Sequence, residues 1–378
     1  MYDVAAIAET AALREPLRAS VSEGVAPTYL RSVKIKLTAR CNLTCVMCRY
    51  GRGFAPPELD EERWRGALGE MAALGCRKVH FSGGEVLVRP DFERLVGRAV
   101  EVGLKVTLTS NLTLLGRARA KALMRHDPSS ISTSLDGATS KTHERIRGIP
   151  GSFKRTLRAL ERLVAERERR RGRTRLRVNF VMMRRNFDEY PDVVRLAAEH
   201  GASDVVPMPV DSRRDELRLS KQLIRHYNEH VAPRVAEARA RAGMPLSERA
   251  LHPFGRDPDE LSASALGRYA ADYYQDHLCY APYLHLFAAW DGKIYLCCMT
   301  NGRIEPLGDL RQEGVREIFV GEPFQRLRAE MLRARLPSCH ACDMFLDENQ
   351  ALAAALGPPP APATARRRLA LAVLPMGR

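Results

Sequence analysis

Three cysteines, Cys41, Cys45 and Cys48, fall within the eight residues CNLTCVMC. Three is an odd number for disulfides and one ligand short of a closed tetrahedral zinc site. An iron–sulfur cube is ordinarily held by four thiolates, so three would leave one iron to an outside ligand. S-adenosylmethionine (SAM) carries an amine and a carboxylate suited to such an iron. An electron from the reduced cluster could cleave the sulfonium's bond to its 5′ carbon, leaving a radical able to take hydrogen from an unactivated C–H bond.

A second set lies downstream. Cys279, Cys297, Cys339 and Cys342 make four thiols, the last two as a CxxC, with Cys298 left over. Four thiolates suit structural zinc or a closed iron–sulfur cluster equally well. Cys76 sits at a helix-to-strand turn and reads as packing. His80, on a strand, reads as a satisfied core or rim histidine. Tyr280 and Tyr283 read as core, and His143 with Glu144 as a loop face.

These side chains need a scaffold, and the chain has a rhythm that supplies one. Strand-like runs at 33–38, 78–85, 104–111, 130–137, 175–183 and 203–210 alternate with helical runs at 58–75, 91–103, 115–125, 152–169 and 189–201. Such alternation builds a parallel sheet with right-handed crossovers, open or curled into a partial barrel. Ligands of these folds sit at the carboxyl ends of the strands. The cysteine loop, the Gly83-Gly84-Glu85 turn, Ser110-Asn111 and Ser134-Leu135-Asp136 all fall at such ends. The expected organisation is an N-terminal extension (1–32), a barrel (33–210), a helical bridge or lid (211–275), a compact cysteine-bearing module (276–345) and a loosely ordered low-complexity tail (346–378).

Composition narrows the class. Of 378 residues 45% are apolar, enough for a core. No apolar run is long enough to span a bilayer, and the N-terminus lacks the basic region of a secretory signal. Nine cysteines, mostly in tight clusters, fit metal ligation in a reducing cytoplasm. The net charge of +15 could attract an anionic partner. The basic run 167–177, RERRRGRTRLR, has no aromatic residues for base stacking and reads as a solvated helix end, so nucleic acid is not expected.

CNLTCVMC resembles the CxxxCxxC signature of the radical SAM enzymes, and the likeness extends over residues 33–210. FSGGEV (81–86) resembles their GGEP turn, with Val86 in place of proline. By that match Gly83, Gly84 and Glu85 would meet the methionine amino group. SNL stands where the family often has TNG, which puts Asn111 near the ribose. STSLDG (132–137) is similar to the SLDG segment, implying Ser134 at the methionine end, and Arg147 matches the arginine that pairs with the methionine carboxylate. The resemblance implies a partial (β/α)6 TIM-like barrel holding a [4Fe–4S] cluster on Cys41, Cys45 and Cys48 with SAM. The second set resembles the C-terminal SPASM or twitch extension. It implies one auxiliary [4Fe–4S] cluster on Cys279, Cys297, Cys339 and Cys342, with Cys298 the alternative to Cys297, which the spacing from Gly292 favours; its role would be electron transfer or orientation.

A radical enzyme of this kind needs an external electron donor such as flavodoxin or ferredoxin. The expected substrate is a small natural-product intermediate (a sugar, aminocyclitol or nucleoside) undergoing oxidation or epimerisation. The alternative is maturation of a ribosomally made peptide by crosslinking, epimerisation or oxidation. The first is preferred here because about 32 residues precede the first strand, fewer than a leader-binding domain needs. A non-catalytic metal-binding protein is the alternative from another class; the GGE turn and Arg147 argue against it.

Overall fold

The computed structural model describes residues 4–48, 57–212, 214–342 and 346–357. Its six leading strands are β1 (Ser32–Lys36), β2 (Lys78–Ser82), β3 (Lys105–Thr109), β4 (Ser130–Ser134), β5 (Arg175–Met182) and β6 (Asp204–Pro209). Each pairs in parallel with the next, through crossover helices such as Glu61–Ala73 and Ser152–Arg170. The side-chain alternation of a strand decides what faces what. Along β5, Leu176, Val178, Phe180 and Met182 are buried under helices, while Arg177 and Asn179 look into the concave side. In β1, Val33 and Ile35 are core and Lys34 faces the cavity.

The barrel is open. β6 is an edge strand, and its Pro207 and Pro209 lack the N–H that a further neighbour would need. On the other side the sheet continues where the sequence suggests a separate module. β7 (His285–Ala288) pairs in parallel with β1, then turns at Asp291-Gly292 into antiparallel β8 (Lys293–Tyr295), followed by β9 (Gly308–Asp309). The Asp-Gly turn was legible; its attachment to β1 was not. The nine strands form one sheet in the order β6-β5-β4-β3-β2-β1-β7-β8-β9.

Between 211 and 275 the chain is helical, as expected. Lys221–His226 runs through one π turn, Tyr227–Val231, into Ala232–Arg241. Arg239 clamps this bridge to β6: it donates to the carbonyls of Val205 (2.7 Å) and Pro245 (2.6 Å) and to Asp204 Oδ1 (2.8 Å). The segment assigned to a loose tail opens instead with a docked helix, Leu346–Leu356, whose Leu352 and Asn349 are fully buried. It packs against the N-terminal helix Val4–Glu9, and Arg18 donates to its last carbonyl, Leu356 O. The rest of the tail, 358–378, lies outside the described residues. No described helix is long and apolar enough to cross a membrane.

Candidate active site

The loop after β1 carries Cys41, Cys45 and Cys48. It is seated by backbone bonds on the end of helix Ser140–Arg147: Thr44 N donates to Arg147 O (3.2 Å) and Val46 N to Ile146 O (2.9 Å). That helix ends at Gly148 with φ of 78°, a left-handed cap, and a Cβ there would stand 2.7 Å from Thr44 O. Two N–H groups point at the sulfurs: Leu43 N at Cys41 Sγ (3.4 Å) and Arg147 Nη1 at Cys45 Sγ (3.6 Å). Burial pushes the Cys41 thiol up to about 11, against the pull of the Leu43 amide. It also raises Cys45, against Arg147.

The Gly-Gly-Glu turn lies against the start of this loop. Gly84 N donates to Thr38 O (2.8 Å) and Glu85 N to Arg40 O (2.9 Å). A Cβ on Gly84 would overlap the Arg40 carbonyl, and one on Gly83 would stand 2.6 Å from Thr38 O, so both positions require glycine. Glu85 is 1% exposed. Its Oε1 accepts from Ser110 Oγ (2.6 Å) and Leu87 N (3.0 Å), and its Oε2 from Asn111 N (2.6 Å). Burial raises this carboxyl and the three donors oppose the rise. The carboxylate thus ties the ends of β2 and β3 together.

Asn111 bridges to the cysteine loop through Asn42: its Nδ2 donates to Asn42 Oδ1 (2.9 Å), and Asn42 Nδ2 to Thr113 Oγ1 (2.7 Å). Ser134, half-buried, ends β4 opposite Asn179. Arg147 lies 2.7 Å from Asp136 Oδ2, an aspartate with no exposed surface. Burial raises the Asp136 carboxyl and Arg147 pulls it back. In the sequence Asp136 stands within the SLDG-like segment, and its spacing from Arg147 carries no sign of this pair. His143, expected on a loop face, is instead 1% exposed on helix Ser140–Arg147, its Nδ1 accepting from Asp136 N (3.3 Å). Burial drives its pKa down to about 3.

The concave face of the sheet opens into a cavity of about 1220 Å³. Lys34, His80, Thr109, Ser132, Arg177 and Asn179 form its floor. His80 is held by Thr107 Oγ1 (2.9 Å) and Thr109 Oγ1 (3.3 Å), the satisfied histidine expected, and burial with neighbouring lysines keeps it neutral. The bridge and helix Leu346–Leu356 wall the other side.

The second cysteine set lies in one neighbourhood. Cys279 senses the charge of Cys339, and Cys297 senses Cys298, Cys279 and Cys339. Cys342 N donates to Cys339 O (3.1 Å), and Tyr274 lies beside both Cys279 and Cys342. Cys297, rather than Cys298, is buried in this group. Asn349 was missed. Its Oδ1 accepts from Tyr280 N (2.7 Å), directly after Cys279, and its Nδ2 donates to Tyr274 Oη (2.9 Å). Tyr280 and Tyr283 are each 1% exposed and serve as core, and Cys76 is packed with its thiol donating to Lys78 O (3.3 Å).

Among the described residues no three His, Cys, Asp or Glu side chains close around a point fit for a single metal ion. Both cysteine sets present soft thiols, the first with N–H donors aimed at its sulfurs, and so both fit iron–sulfur clusters.

Comparison with known proteins agrees. Residues 35–196 match the family described as the Radical SAM superfamily, and residues 279–343 match SPASM, an iron-sulfur cluster-binding domain. An AdoMet-dependent heme synthase of Methanosarcina barkeri is 35% identical over 174 residues, 46% of this chain and 48% of that protein. A PqqA peptide cyclase of Rhodopseudomonas palustris is 35% identical over 170 residues, 44% and 43% of the two chains. The mycofactocin maturase MftC of Mycobacterium tuberculosis is 33% identical over 169 residues, 44% and 42%. The chain thus spans just under half the length of these relatives. SuiB of Streptococcus suis superposes with a TM-score of 0.63 at 16% identity, over 89% of this chain and 75% of SuiB. The anSMEcpe structure with bound AdoMet gives 0.57 at 18%, over 83% and 87%. These two likenesses are of fold.

Proposed function

We propose that this chain, whose residues 35–196 match the Radical SAM superfamily and 279–343 the SPASM domain, matures a ribosomally made peptide by oxidising, epimerising or crosslinking one of its residues. The cavity carries the reading. At about 1220 Å³ it exceeds the roughly 300–1,000 Å³ of ordinary small-ligand pockets, and it is walled by elements from both ends of the chain. A relative named PqqA peptide cyclase and another named mycofactocin maturase support it, as does the solved structure of SuiB bound to its precursor peptide SuiA. The sugar, aminocyclitol or nucleoside substrate preferred from sequence gives way to this alternative. A second reading, a non-peptide substrate, is kept by the heme synthase relative.

In this proposal Cys41, Cys45 and Cys48 hold the SAM-binding [4Fe–4S] cluster, and Cys279, Cys297, Cys339 and Cys342 the auxiliary one. When bound, the first cluster and SAM supply a 5′-deoxyadenosyl radical. The protein's own part is positioning. Gly83 and Gly84 let the turn approach the cysteine loop. Glu85, its carboxylate filled by protein donors, acts by holding that turn in shape. Asn111 braces the loop through Asn42. Ser134 and Arg147 border the methionine end, Arg147 being held ready by Asp136. A low-potential donor such as flavodoxin or ferredoxin supplies the electron.

The test is anaerobic reconstitution, reduction with SAM, and mass analysis of the short peptides encoded beside the gene. Release of 5′-deoxyadenosine is expected with a change in one such peptide, seen as loss of hydrogen for oxidation or crosslinking and as a D-residue on chiral amino-acid analysis for epimerisation. Release without change in any peptide, while a small ring compound is oxidised, would overturn the peptide reading.

A further inference from the structure

The cavity is electrically lopsided. On its floor Lys34 has no carboxylate partner among the described residues. Asp204 is shared by two guanidinium groups, Arg239 at 2.8 Å and Arg177 at 3.6 Å, so one carboxylate faces two cations. His80 adds no charge, since Thr107 and Thr109 hold it and its position among lysines keeps it neutral. On the opposite wall Glu248, Asp257, Glu260, Asp347 and Glu348 outnumber Arg249 and Arg256. The two arginines pair with Asp347 (3.6 Å) and Glu248 (3.8 Å). The floor is left positive and the helical wall negative.

We propose that the peptide of the preceding section presents a carboxylate side chain to Lys34 on the cavity floor, making Lys34 a specificity-determining residue for an acidic substrate segment. The proposal rests on the peptide reading for the carrier of that carboxylate. Lys34 is suited to the role by its place. It lies on β1, the strand that runs into the cysteine loop, so a carboxylate received there sits on the sheet face leading to the first cysteine set. Half-buried, it is less screened than a surface lysine, and an unmatched cation there favours an anionic ligand over its amide.

The test uses the full reconstituted chain and two fluorescein-labelled decapeptides identical except for a central Glu or Gln, read by anisotropy. Wild type is expected to bind the Glu peptide about tenfold more tightly. Lys34→Gln should remove that preference. Arg241→Gln, an equal loss of charge on the exposed bridge surface, should keep it. Iron content and melting temperature of each variant report that it is folded. Equal binding of the two peptides, or a preference that survives Lys34→Gln, overturns the proposal and leaves the peptide reading standing. Labelled glutamate and glutamine, free of any peptide, form a second pair. If neither decapeptide binds but the single residues are discriminated through Lys34, the charge assignment stands and the peptide reading fails. If neither pair is discriminated, the charge assignment fails.

Discussion

Replacing Asn349 by leucine tests whether helix Leu346–Leu356 holds the second cysteine set in place. The two side chains have similar volume, so the change removes hydrogen bonds without opening a large cavity. Asn349 has no exposed surface. It accepts from Tyr280 N at 2.7 Å and donates to Tyr274 Oη at 2.9 Å, and those two tyrosines are themselves 1% and 2% exposed. Leucine leaves a backbone N–H and a phenol oxygen buried without these partners, at about 1–3 kcal/mol each, or roughly 2–6 kcal/mol together. A domain's whole stability is about 5–15 kcal/mol, so the stretch from Tyr274 to Tyr280, which contains Cys279, should open locally. The assay is iron per chain after anaerobic reconstitution, beside a melting curve. Wild type should carry about eight irons and the variant about four, with SAM cleavage at the first cluster retained. Asn349→Asp, which keeps the acceptor for Tyr280 N, should retain more iron than the leucine variant. A leucine variant with full iron and an unchanged melting curve would refute the reasoning.

Gly84→Ala should force the turn from the Arg40 carbonyl and break two backbone bonds, losing about 2–4 kcal/mol; melting and the SAM-induced change in the iron spectrum check this, and normal values in both would contradict it. Asp136→Asn removes the anion beside buried Arg147 and should cost about 3–5 kcal/mol; chemical denaturation measures it. His143 and His285 both have folded pKa values of about 3. A depressed histidine stays neutral in the fold while the unfolded chain takes up a proton, so stability falls as pH drops below about 6.5 and levels off near the folded value. At pH 5 the loss is about 2 kcal/mol per histidine; urea midpoints at pH 7.5 and 5 measure it, and His285→Gln should flatten the dependence. Cys298→Ser should keep about eight irons per chain and Cys297→Ser about four; equal losses would contradict the assignment of Cys297.

The six barrel strands were legible because each couples a period-two pattern to a following helix. The cysteine loop was legible because its ligand types lie within eight residues. What escaped was non-local. Nothing in HLFA says that it pairs with SVKIK, some 250 residues away, since a short buried strand names no partner. The Arg147–Asp136 pair joins the end of helix Ser140–Arg147 to the segment after β4 through space, and Asn349 reaches Tyr280 across 69 residues. Helix Leu346–Leu356 did leave a trace: Asp347 and Glu348 in its first turn and Gly357 after its end, with φ of 77°. An alanine- and proline-rich neighbourhood obscured it. His143 was misplaced because a short helix within a loop-like stretch has too few turns to show its period.

β1 has two neighbours, β2 from the barrel and β7 from the C-terminal module. A protein engineer could not transplant that module as a cassette. Cutting between β1 and β7 would bare a ladder of unpaired amides on both fragments, an invitation to aggregate. Exchange with another barrel would have to keep His285–Ala288 beside whatever strand takes the place of Ser32–Lys36.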